Sequence, residues 1–110
     1  MYKLKHYTTT EGVDLFAEWL DSLRDEQASA RIAARLLRLQ NGNFGDCRAV
    51  GEGVWELRID WGLGYRAYYA VADQRVVLLC EGGDKRTQTA DIDRAKVRWR
   101  EWQARGEHAH

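Results

Sequence analysis

Hydrophobic positions change their period twice along the chain, and the two changes divide it into elements. From Tyr2 to Tyr7 apolar and polar residues alternate, as in a short strand. Thr8-Thr9-Thr10-Glu11 has the Thr-x-x-Glu spacing of a capping box, which predicts that a helix begins there. Phe16, Trp19, Leu20 and Leu23 recur at helical spacing and give that helix one apolar face. Asp25 is placed to cap a second helix with Ala28, Ile32, Leu36 and Leu39 on its inner side. Asn41-Gly42 ends it, because both residue types tolerate the left-handed backbone that follows a helix.

Period two returns at Phe44. Val54 to Trp61 alternates strictly, with Trp55, Leu57, Ile59 and Trp61 on one side and Glu56, Arg58 and Asp60 on the other. Gly62-Leu63-Gly64 is a turn signal, and strands are expected over Tyr65 to Ala72 and Arg75 to Glu81. Gly82-Gly83 breaks the chain. A last helix follows from Gln88 to Ala104, with Ile92, Ala95, Trp99 and Trp102 on one stripe. The order β-α-α-β(3–4)-α predicts an α+β fold with an antiparallel sheet and the helices packed on one face, the one carrying the tryptophans.

Register decides what the other face carries. A hairpin loop of Gly62-Leu63 alone would set Ile59 opposite Arg66 and drive a guanidinium into the core, which is costly. A three-residue loop, Gly62-Leu63-Gly64, instead pairs Asp60 with Arg66, Ile59 with Ala67 and Arg58 with Tyr68. This second register is the expected one. It gathers Arg58, Arg66 and Tyr68 on the open face, flanked by Glu56 and Asp60. Such a face can be a solvated set of cross-strand ion pairs, or it can be an anion site. Two guanidiniums can fork onto a phosphate, and a tyrosine can stack on a base or donate a proton. Lys85 and Arg86, just after Gly82-Gly83-Asp84, extend the same basic surface.

Composition narrows the classes. The 110 residues are expected to form a single domain, 1–110, and 45% hydrophobic with 31% charged residues is a folded balance. The chain lacks the run of roughly 20 apolar residues that spans a membrane, and its start lacks a secretory apolar stretch, so no membrane partner and a cytoplasmic location are expected. Cys47 and Cys80 have no second cysteine or histidine at ligand spacing. They are expected as free thiols, with Cys80 a small core residue, and no metal or cofactor is expected. Seventeen basic and seventeen acidic residues give zero formal charge, which excludes coating nucleic acid by bulk charge. The charge is uneven, however: residues 85–105 hold seven basic and three acidic groups. Such a local basic surface suits a bounded polyanion site. Arg31, Arg35 and Arg38 form a further stripe, a solvated face unless a polyanion or the acidic residues of a protein partner cover it.

Val54-Trp55-Glu56-Leu57-Arg58-Ile59, Gly64-Tyr65-Arg66-Ala67-Tyr68-Tyr69-Ala70, Val77-Leu78-Leu79-Cys80 and Gly82-Gly83-Asp84-Lys85, followed by Gln88, Asp91-Ile92 and Ala95, resemble the phage-derived, HigB-like branch of the RelE/ParE toxin superfamily. The resemblance runs over nearly the whole chain. It implies the toxin of a type II toxin–antitoxin pair with a RelE-like fold, silenced by a cognate antitoxin, often a helix-turn-helix DNA-binding protein. It implies metal-independent cleavage of messenger RNA, commonly on the ribosome, and hence inhibition of translation and growth. ParE-like members of the same fold instead poison DNA gyrase, and an inactive RNA-binding regulator would also keep the fold. By position, Arg66 matches the arginine that stabilises the scissile phosphate in RelE-like members. Arg58, Lys85 and Tyr68 complete the expected catalytic set, and Arg86, Tyr65, Arg94 and Arg98 are the expected further RNA contacts. The sequence departs from the family where no histidine stands near the last strand and where Glu81 precedes the glycines; His108 and His110 fall at the tail.

Overall fold

A computed structural model describes residues 1–106; His108 and His110 lie outside them. The order is β1 (Lys3–His6), α1 (Leu15–Ser22), α2 (Glu26–Gln40), β2 (Cys47–Gly51), β3 (Val54–Ile59), β4 (Tyr65–Ala72), β5 (Val76–Asp84), a 3₁₀ turn (Lys85–Thr87) and α3 (Gln88–Ala104). The fold is α+β, consistent with a RelE-like architecture, built on a five-stranded sheet in the order β1-β5-β4-β3-β2. Its pairs are antiparallel except for β1 beside β5, which is parallel.

The helix ends follow local chemistry, with one correction. Asp25 caps α2 as expected, its carboxylate accepting from the amides of Gln27 and Ala28. At α1 the capping residue is Asp14 and not Thr8. Thr8 is instead held in a bridge to Asp14, so the Thr-x-x-Glu segment forms a turn that delays the helix. Asp14 competes better because its ionised carboxylate meets the N-terminal end of the helix dipole.

The three helices do not share one face of the sheet. Phe16, Ile32, Leu36 and Leu39 from α1 and α2 pack with Leu57, Ile59, Tyr65, Ala67, Tyr69, Val77 and Leu79. The alternate residues Val54, Tyr68, Ala70 and Leu78 face the other way and pack with Ala95, Trp99 and Trp102 of α3. The expected open face is therefore largely covered by α3. The sheet can be covered twice because β4 is apolar at nearly every position, and a strand buried on both faces reads as a run and not as an alternation. The tryptophans split accordingly. Trp99 and Trp102 are buried under α3, whereas Trp55 is exposed on the face shared with α1 and α2.

Gly82 and Gly83 permit this double covering. A Cβ on Gly82 would lie 2.1 Å from the Trp19 ring of α1, and one on Gly83 would lie 1.8 Å from Asp91 Oδ2 of α3. The glycines thus let a helix approach β5 on each side, and the strand runs through them to Asp84 where the sequence predicts a break.

Candidate functional site

The hairpin between β3 and β4 is two residues out of the expected register. Arg58 faces Arg66, Ile59 faces Tyr65 and Glu56 faces Tyr68. A shift of two keeps every side chain on its face, so the anticipated grouping survives while the partners change. The connection is longer than Gly62-Leu63-Gly64 because Asp60 and Trp61 leave the ladder. Two arginines now stand directly across from one another at the end of the sheet where α3 begins.

The groups expected on one open face separate by depth. Tyr68 and Glu56 are both 0% exposed, and Tyr68 donates its hydroxyl to Glu56 Oε2 at 3.0 Å. Burial first, then the charge of Glu56, raises the Tyr68 pKa, so the phenol stays protonated. It cannot stack on a base, and its proton is already engaged. Glu56 also accepts from Arg48 Nε at 2.9 Å and Gln88 Nε2 at 2.8 Å. Burial raises its pKa, but the hydrogen bonds from Gln88, Arg48 and Tyr68 outweigh it and hold the carboxyl below the ordinary value. Glu56 is thus a buried, ionised, saturated carboxylate and a poor base for any ligand.

Arg66 lies beside it. Its Nε is 3.8 Å from Glu56 Oε1, and its Nη1 donates to the Tyr65 carbonyl at 3.1 Å. The residue is 7% exposed, and its Nε is buried without a hydrogen-bond partner. A guanidinium this deep would be costly without a counter-charge, and Glu56 supplies one.

Toward solvent, Arg58, Arg66 and Lys85 line one cleft of about 270 Å³ with Asp46, Asp60 and Gly64. Arg58 is half-buried and forks onto Asp46 Oδ1 through Nε at 3.2 Å and Nη2 at 2.9 Å. Lys85 lies along Gly64: a Cβ there would meet its Cγ, Cδ and Cε at 2.9 Å. Gly64 also has φ +76°, so both its backbone and its missing side chain suit glycine. Lys85 makes no ion pair among the described residues. Three cations and two carboxylates thus surround one solvent-open cleft.

The other expected contacts lie elsewhere. Tyr65 points to the opposite face and is buried in the core with α1 and α2, because it alternates with Arg66. Arg86 is exposed and folds back onto Asp84 at 3.0 Å. Arg94 bonds Glu81 at 2.8 Å and also pairs with Asp91. Arg98 bonds Glu81 at 3.0 Å and the Cys80 carbonyl at 2.9 Å. Lys96 and Arg100 pair with Glu52. The positive charge of α3 is largely neutralised, so it does not extend the cleft. Glu81, the residue out of keeping with its strand, is the hub of this pairing. Cys80 is the extra residue of a bulge opposite Tyr68 and Tyr69, which turns Glu81 toward α3.

Asp46 was missed by the sequence reading, and Arg35 was read only as part of the α2 stripe and not as a support of the cleft. Arg35 donates from α2 to the carbonyls of Arg58 at 2.6 Å, Phe44 at 3.2 Å and Asp46 at 3.3 Å, fixing the segment that carries Asp46. The available signal was Gly51-Glu52-Gly53: as a hairpin turn it would have defined β2 and set Asp46 beside Arg58.

The model of the family described as Phage derived protein Gp49-like matches residues 18–100, a span that contains every residue lining the cleft. A protein of Haemophilus influenzae (strain ATCC 51907 / DSM 11121 / KW20 / Rd), described as an uncharacterized protein, is 50% identical over 82 residues, 74% of this chain and 83% of the relative.

Proposed function

The chain belongs to the phage-derived Gp49-like family, a family of the RelE-like toxin–antitoxin type, and on that premise we propose that it is a HigB-like toxin that cleaves messenger RNA. One observation carries the reading: Arg58 and Arg66 stand opposite each other on adjacent strands and share a cleft with Lys85. RNA carries its own nucleophile in the 2′-hydroxyl. The 2′-oxygen attacks phosphorus, the bond to the 5′-oxygen breaks, and a 2′,3′-cyclic phosphate and a free 5′-hydroxyl result. Arg66, held by Glu56, and Arg58, released from Asp46, stabilise the crowded phosphate. Asp60 is the cleft carboxylate without an ion pair among the described residues, and it takes the 2′ proton. Lys85 supplies the proton to the leaving oxygen. Tyr68 acts at one remove, orienting Glu56 and through it Arg66. The partners in this reading are a cognate antitoxin, messenger RNA and the ribosome.

The test is induction without antitoxin, followed by mapping of RNA 5′ ends. Cuts in messenger RNA are expected, and Arg66→Ala and Arg58→Ala should each lower the cleavage rate by roughly 100- to 1000-fold while the folded protein still binds antitoxin. Arg58→Ala is the cleaner variant, since it leaves the buried Glu56 pair intact. Intact RNA together with DNA-damage signalling would replace this reading by gyrase poisoning.

A further inference from the structure

The basic surface of this protein continues beyond the cleft onto α2. A second depression of about 220 Å³ is lined by Arg31, Ala34, Arg35, Arg38, Ile59 and Asp60. Asp60 lines both spaces, and Arg35 ties the two together by donating to the Arg58 carbonyl at 2.6 Å. Together the two spaces are bordered by six cations, the three of the cleft and the three of α2, against Asp46 and Asp60.

The state of these cations separates them from those of α3. Arg94, Lys96, Arg98 and Arg100 all have acidic partners. Arg31 and Arg38 are exposed and form no ion pair among the described residues. The guanidinium carbon of Arg31 sits over the Trp61 ring, 3.9 Å from its centre, and the indole is fixed in turn by donating to Asp25 Oδ2 at 3.0 Å. A guanidinium held over a ring by its π face keeps N–H donors available to an anion. Arg31 and Arg38 are seven residues apart, about 10 Å along the helix. That spacing suits two different phosphates of an extended strand better than one compact anion.

We infer that the α2 face is a second phosphate-binding site, in which Arg31 and Arg38 hold the backbone of the single-stranded RNA flanking the bond cut in the cleft. The inference rests on the ribonuclease reading and adds a direction to it: the strand leaves the cleft past Asp60 and runs along α2, away from α3.

The test uses the full chain and 2′-O-methyl RNAs of roughly four and roughly twelve nucleotides, with affinity read by fluorescence anisotropy over a salt series. Wild type should bind the longer RNA at least about tenfold more tightly, and the Arg31→Glu/Arg38→Glu protein should lose that gain. Its salt slope on the longer RNA should be shallower by about 1.4, since each lost phosphate contact removes about 0.7. Arg38→Glu alone, whose side chain has no hydrogen bond or ion pair among the described residues, decides the matter if the double variant fails to fold; it should lose about half of the gain on a logarithmic scale. A charge-reversed protein that keeps the gain overturns the inference, and so does one that keeps it while losing antitoxin, which would make this a protein-binding face. A wild type that cleaves RNA with no gain from length overturns the inference alone. A wild type that neither binds nor cuts RNA overturns the ribonuclease reading as well.

Discussion

Glu56 shows how a single residue can look like chemistry in the sequence and serve architecture in the fold. It sits between Arg48, Tyr68, Gln88 and Arg66 and is shut off from solvent. Glu56→Gln keeps the shape but leaves the buried Arg66 cation without its counter-charge, so a loss of about 3 kcal/mol is expected in a urea titration. The pH dependence has a definite sign. The folded pKa lies below the ordinary 4.5, so the contribution of this group is complete above that value and drains away as pH falls through the lower folded one. The wild-type stability curve should therefore drop on the acid side, and Glu56→Gln should flatten that limb. A variant as stable and as acid-sensitive as wild type would show that the carboxylate does not hold the cluster together.

Among the elements, β5 is the most constrained, because helices press on it from both sides. Gly83→Ala would force the new methyl into Asp91, whose carboxylate is already bound to Thr87 at 2.5 Å and to Arg94. The expected cost is about 1–3 kcal/mol or more, seen as a lower midpoint in thermal unfolding. An unchanged midpoint would mean that α3 can stand off from the strand. Much at this level was legible in the sequence. The inner face of α2, the cap at Asp25, the span of β4 and the span of α3 all follow from period and punctuation. What was hidden depends on pairing. Alternation alone sends Glu56 to solvent, and only the position of α3 shows that its face is enclosed. Parity put Arg58 and Arg66 on one side, but counting glycines as the loop missed the departure of Asp60 and Trp61. Tyr68 was grouped with the site by register and Tyr65 by the resemblance, and the two covered faces of the sheet then assigned both of them to the interior.

For the molecule as a whole, the distribution of charge matters more than its sum. Formal charge is zero, and the cations of α3 are paired internally, whereas Lys85, Arg31 and Arg38 have no ion pairs among the described residues. If the three cleft cations alone bind phosphate, the affinity for a short RNA should fall with a log–log salt slope of about −2. A slope near zero in the same anisotropy series would remove phosphate contacts from the account. On the ribonuclease reading Arg58 must also exchange Asp46 for the incoming phosphate, so part of the attraction goes into displacing an internal rival. On the ribonuclease reading, a particle without net charge whose cleft and α2 cations adjoin one another meets a polyanion as an oriented dipole. On that reading it would be turned the right way on approach yet held only briefly by any stretch of nucleic acid that fails to reach the arginines, and so be free to leave for the next encounter.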